Sequence, residues 1–170
     1  ARGRGAARGL CGVHPAGLRR TLPLGGPPVE DALNIDKVEL DRLHAHACEG
    51  YPHEVVGLLA GDRASHHVTR VVPLVNERAD SAHNRYKVSG LIVHRAEQAL
   101  EAEGLQVVGY YHSHPDHPSQ YSAYDRDHAL PNMAYLITQV VGGQTGTTQV
   151  WRLREDRSAM DELSLLTLES

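Results

Sequence analysis

Residues 105–125 read LQVVGYYHSHPDHPSQYSAYD, an apolar run followed directly by a polar stretch rich in histidine. The apolar run is typical of a strand that is buried in a sheet. Because side chains alternate between the two faces of a strand, His112 and His114 should point to the same side at its end, and Ser113 to the other. Pro115 cannot donate to a sheet ladder and is expected to end the strand. The stretch therefore predicts two imidazoles side by side at the end of a buried strand.

The residues after this strand supply a carboxylate from a second element. Ser122 is a favourable N-cap residue and predicts a helix over 122–130 whose first turn holds Asp125. If the connecting loop folds back, Asp125 joins His112 and His114. Two neutral imidazoles and one carboxylate match the three protein ligands of a catalytic zinc, which leaves the fourth position for water. Ser122 and Asp125 taken alone are also a common helix cap.

Hydrolysis at such a site also needs a group that moves protons, and no spare glutamate lies within residues 112–125. Glu54 immediately precedes the apolar run VVGLLAG at 55–61. Its carboxylate is therefore expected at the mouth of a buried strand, held in place and partly desolvated. Sequence spacing alone does not choose Glu54 over Glu49 or Glu77.

The wider chain has the pattern of a single α/β domain. Strands and helices alternate in the first two thirds of the chain, and strands dominate the end, which predicts a mixed β-sheet with helices packed on it. The predicted elements are a helix over 36–49, strands at 55–61, 67–75 and 85–89, a helix over 90–103, a strand at 105–114, a helix over 122–130, and strands in MAYLITQVV, TTQVWRL and MDELSLLTL.

Composition limits the function classes. The 170 residues, 41% hydrophobic and 22% charged, suit one globular domain. Residues 1–30, rich in Arg, Gly and Pro, show no period and are predicted to be a flexible extension, which leaves 31–170 as the folded domain. The extension holds five of the 17 basic residues and one of the 21 acidic ones, so 12 basic and 20 acidic residues remain in the domain. This acidic balance argues against a nucleic-acid partner.

The lengths of the apolar runs and the number of cysteines indicate the cellular setting that is expected for this chain. No run of about 18 apolar residues is present, so a membrane span is not expected. The chain has two cysteines, Cys11 and Cys48. They are too few for a disulfide framework, which favours a reducing, cytoplasmic setting.

Taken together, these motifs resemble the signature of the JAMM metallopeptidases, also called the MPN-plus or Mov34-type family. The resemblance rests on Glu54 ahead of VVGLLAG, on HSHP at 112–115, and on Ser122 and Asp125, with seven residues between His114 and Ser122. It extends over roughly residues 33–165 and implies a cytidine-deaminase-like α/β fold. It also implies one zinc ion per chain with a general acid/base and an oxyanion-binding group. The implied roles are zinc binding by His112, His114 and Asp125, acid/base catalysis by Glu54, and oxyanion binding by Ser122.

The family cleaves peptide or isopeptide bonds after the Gly-Gly tail of ubiquitin or ubiquitin-like proteins. The deubiquitinating members carry insertions that grip ubiquitin, and this chain leaves little room for them. It is more similar to the short bacterial members, which act on sulfur-carrier or other small β-grasp proteins with a diglycine end. The resemblance thus implies a zinc-dependent isopeptidase or peptidase in which a glutamate assists metal-activated water.

Two other function classes are open. One is a non-catalytic zinc-binding MPN scaffold module within a protein complex. The other is a zinc deaminase of similar fold, which the absence of the HxE and PCxxC pair disfavours. Deconjugation as against C-terminal trimming, the identity of the substrate and the presence of a homodimer are left open.

Other polar and aromatic residues carry weaker signals. Several lie near the motif but off its spacing and are expected to be solvated or to support the site: His53, Asp116, His117 and His128. The remaining histidine pairs, His44 with His46 and His66 with His67, are expected on the surface. Tyr110 and Tyr111 are predicted to pack within the sheet.

Overall fold

The computed structural model describes residues 31–77 and 88–169. In chain order the elements are β1 Ala32–Asp36, α1 Lys37–Gly50, β2 Val56–Asp62, β3 His67–Leu74, α2 Gly90–Ala102, β4 Gln106–Pro115, α3 Ala123–His128, β5 Ala134–Val141, β6 Gln144–Leu153 and β7 Met160–Leu168. The predicted extension 1–30 lies outside the described residues. Of the strand predicted at 85–89, the first three residues also lie outside them, and the last two are not in a strand.

The strands form a closed barrel in the order β1-β3-β2-β4-β5-β6-β7. Neighbours run parallel in β1/β3, β1/β7 and β4/β5 and antiparallel in the other pairs. The predicted α/β class with a mixed sheet and packed helices is confirmed. Closure of the sheet was not predicted, because it depends on β1, a strand that the sequence analysis missed. The cytidine-deaminase-like description stays a prediction.

The short strand β1 closes the barrel by pairing on both of its sides. It pairs with β7 along its whole length, from Ala32 to Asp36, and with β3 at Asn34 and Ile35. Its sequence, ALNID, is too short to show a clear alternation of apolar and polar residues. Its place is set by the partners on either side, which lie far away in the chain.

Helix α1 begins where the sequence predicts, but Asp36 and Glu39 at its start contact β3 through their side chains. Asp36 makes no side-chain capping bond, and its carboxylate lies 2.7 Å from His67 Nε2. Glu39 is buried, and its carboxylate accepts hydrogen bonds from Arg42 and from the backbone N–H of Val71 at 2.8 Å. The two acids therefore tie α1 to β3.

Strand β4 lies between β2 and β5 and is buried along most of its length. Gly109 allows it to approach β5 closely, since a Cβ there would lie 2.1 Å from the carbonyl oxygen of Ala134. The Tyr111 side chain is buried in the main core with Leu59 and Leu136, and Tyr110 stacks on Tyr135. The predicted packing of both tyrosines is thus confirmed. Within residues 31–77 and 88–169, no helix is both long and apolar enough to span a membrane.

Candidate metal and catalytic site

The end of β4 and the first turn of α3 bring two imidazoles and one carboxylate together. The Nε2 atoms of His112 and His114 lie 3.0 Å apart. Asp125 Oδ1 is 3.3 Å from His112 Nε2, and Asp125 Oδ2 is 3.8 Å from His114 Nε2. All three side chains are buried, and their ligand atoms lie within 4.8 Å of one another.

This geometry fits a metal ion. Two metal–nitrogen bonds of about 2.0–2.1 Å at a tetrahedral angle would place the two nitrogens about 3.3 Å apart. The ring nitrogen His114 Nδ1 lies 2.7 Å from the carbonyl oxygen of Pro118, so it carries the proton and donates it. In the neutral ring, Nε2 then carries a lone pair that faces the metal-ligand atoms of His112 and Asp125. Hydrogen bonding of the second ring nitrogen is the usual way in which a metal-binding histidine is oriented.

The loop that presents the Pro118 carbonyl is anchored to β6. The next residue, Ser119, is buried; its carbonyl accepts from Trp151 Nε1 at 2.9 Å, and its hydroxyl donates to Gln149 Oε1 at 2.6 Å. The sequence analysis missed Ser119, Gln149 and Trp151. No local pattern could have found them, because the two partners on β6 follow Ser119 by about thirty residues.

Asp125 is held by the cap of its own helix. The backbone N–H and the hydroxyl of Ser122 both donate to Asp125 Oδ2 at 2.7 Å, and the Asp125 N–H donates back to Ser122 Oγ at 3.1 Å. These bonds fix one carboxylate oxygen and leave Oδ1 facing His112. Ser122 is therefore a helix cap that also orients Asp125, and its role at an oxyanion stays a prediction.

Glu54 precedes β2 beside the ligand strand, where Val56 pairs with His112. Only 7% of Glu54 is exposed. Burial and, to a lesser extent, the negative charge of Asp125 raise the pKa of Glu54 to about 8. A cation bound between the three ligands would favour the charged carboxylate and lower this pKa, so that Glu54 could accept a proton near neutral pH.

The other acids near the site are placed less favourably. The two alternatives to Glu54, Glu49 on α1 and Glu77 after β3, are both exposed. The carboxylate of Asp116 accepts hydrogen bonds from the Tyr51 hydroxyl at 2.9 Å and from the Gly142 N–H at 3.3 Å. Asp116 thus connects the end of β4 to the segment after α1, at Tyr51, and to the turn after β5, at Gly142.

Three other histidines of the described residues contact neighbouring side chains. The predicted surface position of His44 is wrong: it is buried on the inner side of α1, with Nε2 3.0 Å from Thr148 Oγ1. His46 is half-buried, with Nδ1 2.9 Å from the Tyr111 hydroxyl. His128 is exposed and stacks on Tyr124. None of these three belongs to the group of metal-ligand atoms.

Comparison with known families gives this site its context. The sequence model of a family described as prokaryotic homologs of the JAB domain matches residues 36–154. This range contains the three clustered side chains, Glu54 and strands β2 to β6. The chain belongs to the prokaryotic JAB family.

Relatives of this JAB-domain protein are found in archaea and bacteria. A desampylase from Haloferax volcanii is 36% identical over 110 residues, which cover 62% of this chain and 78% of the relative. A probable TtuB-protein conjugate cleaving protease from Thermus thermophilus is 39% identical over 105 residues, which cover 62% of this chain and 68% of the relative.

Solved structures resemble this JAB-domain protein as well. The solution structure of a protein from Desulfitobacterium hafniense is similar with a TM-score of 0.70 and 26% identity, over 81% of this chain and 94% of that one. The crystal structure of a JAB1/MPN domain protein from Archaeoglobus fulgidus is similar with a TM-score of 0.50 and 19% identity, over 79% and 99%. At this identity the second likeness shows the fold alone.

The pKa of Glu54 predicts how the stability of the metal-free JAB-domain protein depends on pH. Glu54 ionises near 4.5 when unfolded and near 8 in the fold, so between these values the folded state binds more protons. Stability should therefore fall as pH rises, by roughly 1.5 kcal/mol from about pH 6.5 to 8. Burial lowers the pKa of His112, which adds the opposite dependence in the range below about pH 6.5, where unfolded histidine takes up protons.

Urea unfolding of chelator-treated protein across this pH range would measure the effect. Glu54→Gln should remove the fall in stability between about pH 6.5 and 8, and Glu49→Gln, on the exposed side of α1, should retain it. An equal slope in wild type and Glu54→Gln would show that the pKa of Glu54 is not raised in the fold.

Proposed function

We propose that this protein is a zinc-dependent isopeptidase or peptidase that hydrolyses the bond after the Gly-Gly tail of a ubiquitin-like or sulfur-carrier β-grasp protein. The observation that carries the proposal is the buried group of His112, His114 and Asp125, with the buried Glu54 just before the neighbouring strand β2. The two relatives support the substrate class, since one is a desampylase and the other a probable protease that cleaves TtuB-protein conjugates.

Zinc is the metal proposed, because two imidazoles and one carboxylate form a common catalytic zinc set. A zinc ion in this site would supply Lewis-acid chemistry that polarises the scissile carbonyl and lowers the pKa of water. Glu54 takes the proton of the attacking water and passes it to the leaving amine. The Pro118 carbonyl keeps the His114 ring in the tautomer that presents Nε2. The Ser122 hydroxyl, which donates to Asp125 Oδ2 in the metal-free fold, turns its hydrogen toward the developing oxyanion, while the Ser122 N–H continues to hold Asp125.

A groove beside the ligands suits an extended peptide tail. Its volume is about 310 Å³, and it includes Val56, which pairs with His112, and Tyr124, which precedes Asp125. The other lining residues are Leu74, Val88, Val93, Tyr110, His128, Leu130 and Tyr135. We propose that the diglycine end lies along this groove with its backbone against the tyrosine side chains, a position that glycine, which has no side chain, occupies more readily than larger residues.

Cleavage of defined substrates tests this function. A small β-grasp protein would be joined through its diglycine end either to a linear peptide or to a lysine side chain. The masses of the products would be measured by mass spectrometry. Zinc-loaded protein should cut after the second glycine, whereas a substrate ending in two alanines should remain intact. Cleavage of only one type of linkage would distinguish trimming from deconjugation. Bound zinc without turnover of either substrate would favour the scaffold module.

Ser122→Ala separates the cap from the proposed oxyanion role. Loss of the cap should cost about 1 kcal/mol of stability. Loss of an oxyanion partner should lower kcat by about 10²- to 10³-fold with little change in KM, because the contact forms mainly in the transition state. We expect both effects in this variant.

The matched control for Ser122 is Ser89→Ala, since Ser89 is the N-cap of α2 and accepts from the Ile92 N–H at 3.3 Å. It should be destabilised by a similar amount without a loss of kcat. Melting temperature, bound zinc and kcat would be measured on the same preparations. A Ser122→Ala protein that melts lower but turns over normally would leave Ser122 as a cap alone.

A further inference from the structure

The peptide unit between Glu54 and Val55 is bound by side chains at both of its polar atoms. The Val55 N–H donates to the Ser113 hydroxyl at 2.9 Å. The Glu54 carbonyl oxygen accepts from Asn76 Nδ2 at 3.0 Å. The two side chains come from different strands. Ser113 lies near the end of β4, and Asn76 follows β3. The plane of this peptide unit is therefore held from two sides.

The Ser113 hydroxyl replaces a backbone acceptor. The Ser113 N–H donates to the Val55 carbonyl at 3.0 Å, so that the β2/β4 ladder continues one step beyond the pair Val56 and His112. The return bond from the Val55 N–H goes to the hydroxyl of Ser113. Ser113 is fully buried, with 0% exposed. If its hydroxyl were removed, the Val55 N–H would lose its hydrogen-bond acceptor, and no water could take its place.

These contacts couple the metal ligands to the carboxylate. Ser113 stands between His112 and His114 in the chain, and its hydroxyl contacts the residue that follows Glu54. A fixed peptide plane restricts the direction of the Cα–Cβ bond of Glu54, which leaves mainly side-chain rotation to place the carboxylate. A displacement of about 1 Å at a catalytic group can cost about 10²-fold in rate.

We propose that Ser113 and Asn76 are positioning residues, which clamp the Glu54–Val55 peptide unit and so set the distance between the Glu54 carboxylate and the three metal ligands. This inference rests on the proposed function, in which Glu54 moves the proton. Neither residue touches the substrate, and both act through Glu54.

The kinetic test uses the whole 170-residue chain, loaded with zinc, and a diglycine fusion. Ser113→Ala and Asn76→Ala should each lower kcat by about 10-fold or more, with bound zinc and KM nearly unchanged. Ser113→Thr keeps the hydroxyl and should retain kcat within a few-fold. Thr167→Val removes a buried hydroxyl from β7, which pairs with neither β2 nor β4, and should leave kcat unchanged.

A double-mutant cycle separates positioning from a general structural role. If the clamp acts only through Glu54, then Ser113→Ala or Asn76→Ala should lower the residual kcat of Glu54→Gln by less than about two-fold. A further 10-fold loss in that background would show that these residues act on the metal or the fold, and would overturn the proposal.

Amide hydrogen exchange tests the clamp without turnover. Exchange at the Val55 N–H should be faster in Ser113→Ala than in wild type, relative to amides of β7 in the same protein. Unchanged exchange at Val55 would overturn the proposal whatever the kinetics. If zinc-loaded wild type cleaves no diglycine fusion, the proposed function fails and the positioning role fails with it, whereas faster exchange would still show the hydrogen bond. Normal kcat in both Ser113→Ala and Asn76→Ala, with an active wild type, would overturn the positioning role alone.

Discussion

His114→Ala should leave the purified protein without stoichiometric zinc and without measurable turnover. Wild type should bind about one zinc per chain, because three protein ligands and one open position form a complete catalytic site. Alanine removes the ring whose Nε2 lies 3.0 Å from that of His112 and leaves only two ligands. It also frees the Pro118 carbonyl, which accepts from this ring.

Elemental analysis after mild purification and zinc re-addition would measure this loss. The matched control is His128→Ala, an exposed histidine on α3 whose Nδ1 donates to the Tyr124 carbonyl. It should keep about one zinc per chain. Zinc at wild-type level in His114→Ala, or none in wild type, would show that the three side chains are not the metal site.

Glu54→Gln should keep zinc bound while kcat falls by about 10²- to 10⁴-fold, the usual contribution of a general acid/base. Glutamine has nearly the same shape and can remain beside β4, but it cannot accept and release the proton. The pKa of Glu54, which burial raises to about 8 in the metal-free fold, shows that this position favours a bound proton. The variant should therefore fold normally, and its defect should lie in kcat.

Single-turnover kinetics at matched zinc occupancy would measure the loss. Glu49→Gln, on the exposed surface of α1, is the control and should retain kcat. If Glu54→Gln turned over at a near-normal rate, the proton would be moved by another group. Asp116 would be the next to test, although its carboxylate already accepts from Tyr51 and Gly142.

The parts of the site that depend on local spacing could be predicted from sequence. Alternation along β4 places His112 and His114 on one face, and the cap at Ser122 places Asp125 in the first turn of α3. The role of Glu54 could not be derived in this way. Spacing left Glu49 and Glu77 open, and only the family resemblance selected Glu54. Burial beside the ligand strand now gives it a physical basis.

The parts that depend on contacts between distant residues could not be predicted. The anchoring of Ser119 by Trp151 and the closure of the barrel by β1 both depend on which strands become neighbours. His44 is a related case, since its spacing suggested an exposed residue while the packing of α1 buries it. In each case the contacting residue lies far away in the sequence. The pattern of residues around the position itself therefore gives no indication of the contact.

Closure of the barrel also affects how other chains can associate with this protein. Open strand edges recruit further strands, both in peptide capture and in aggregation. Beyond its short pairing with β1, the outer edge of β3 is blocked among the described residues, because the Val71 N–H is bound by Glu39 and Pro73 has no N–H to offer. An incoming tail finds little backbone to pair with along this strand. For the proposed substrate, recognition along β3 should then depend on side-chain contacts, and the same blocked edge should limit the pairing of β3 with β3 of another copy.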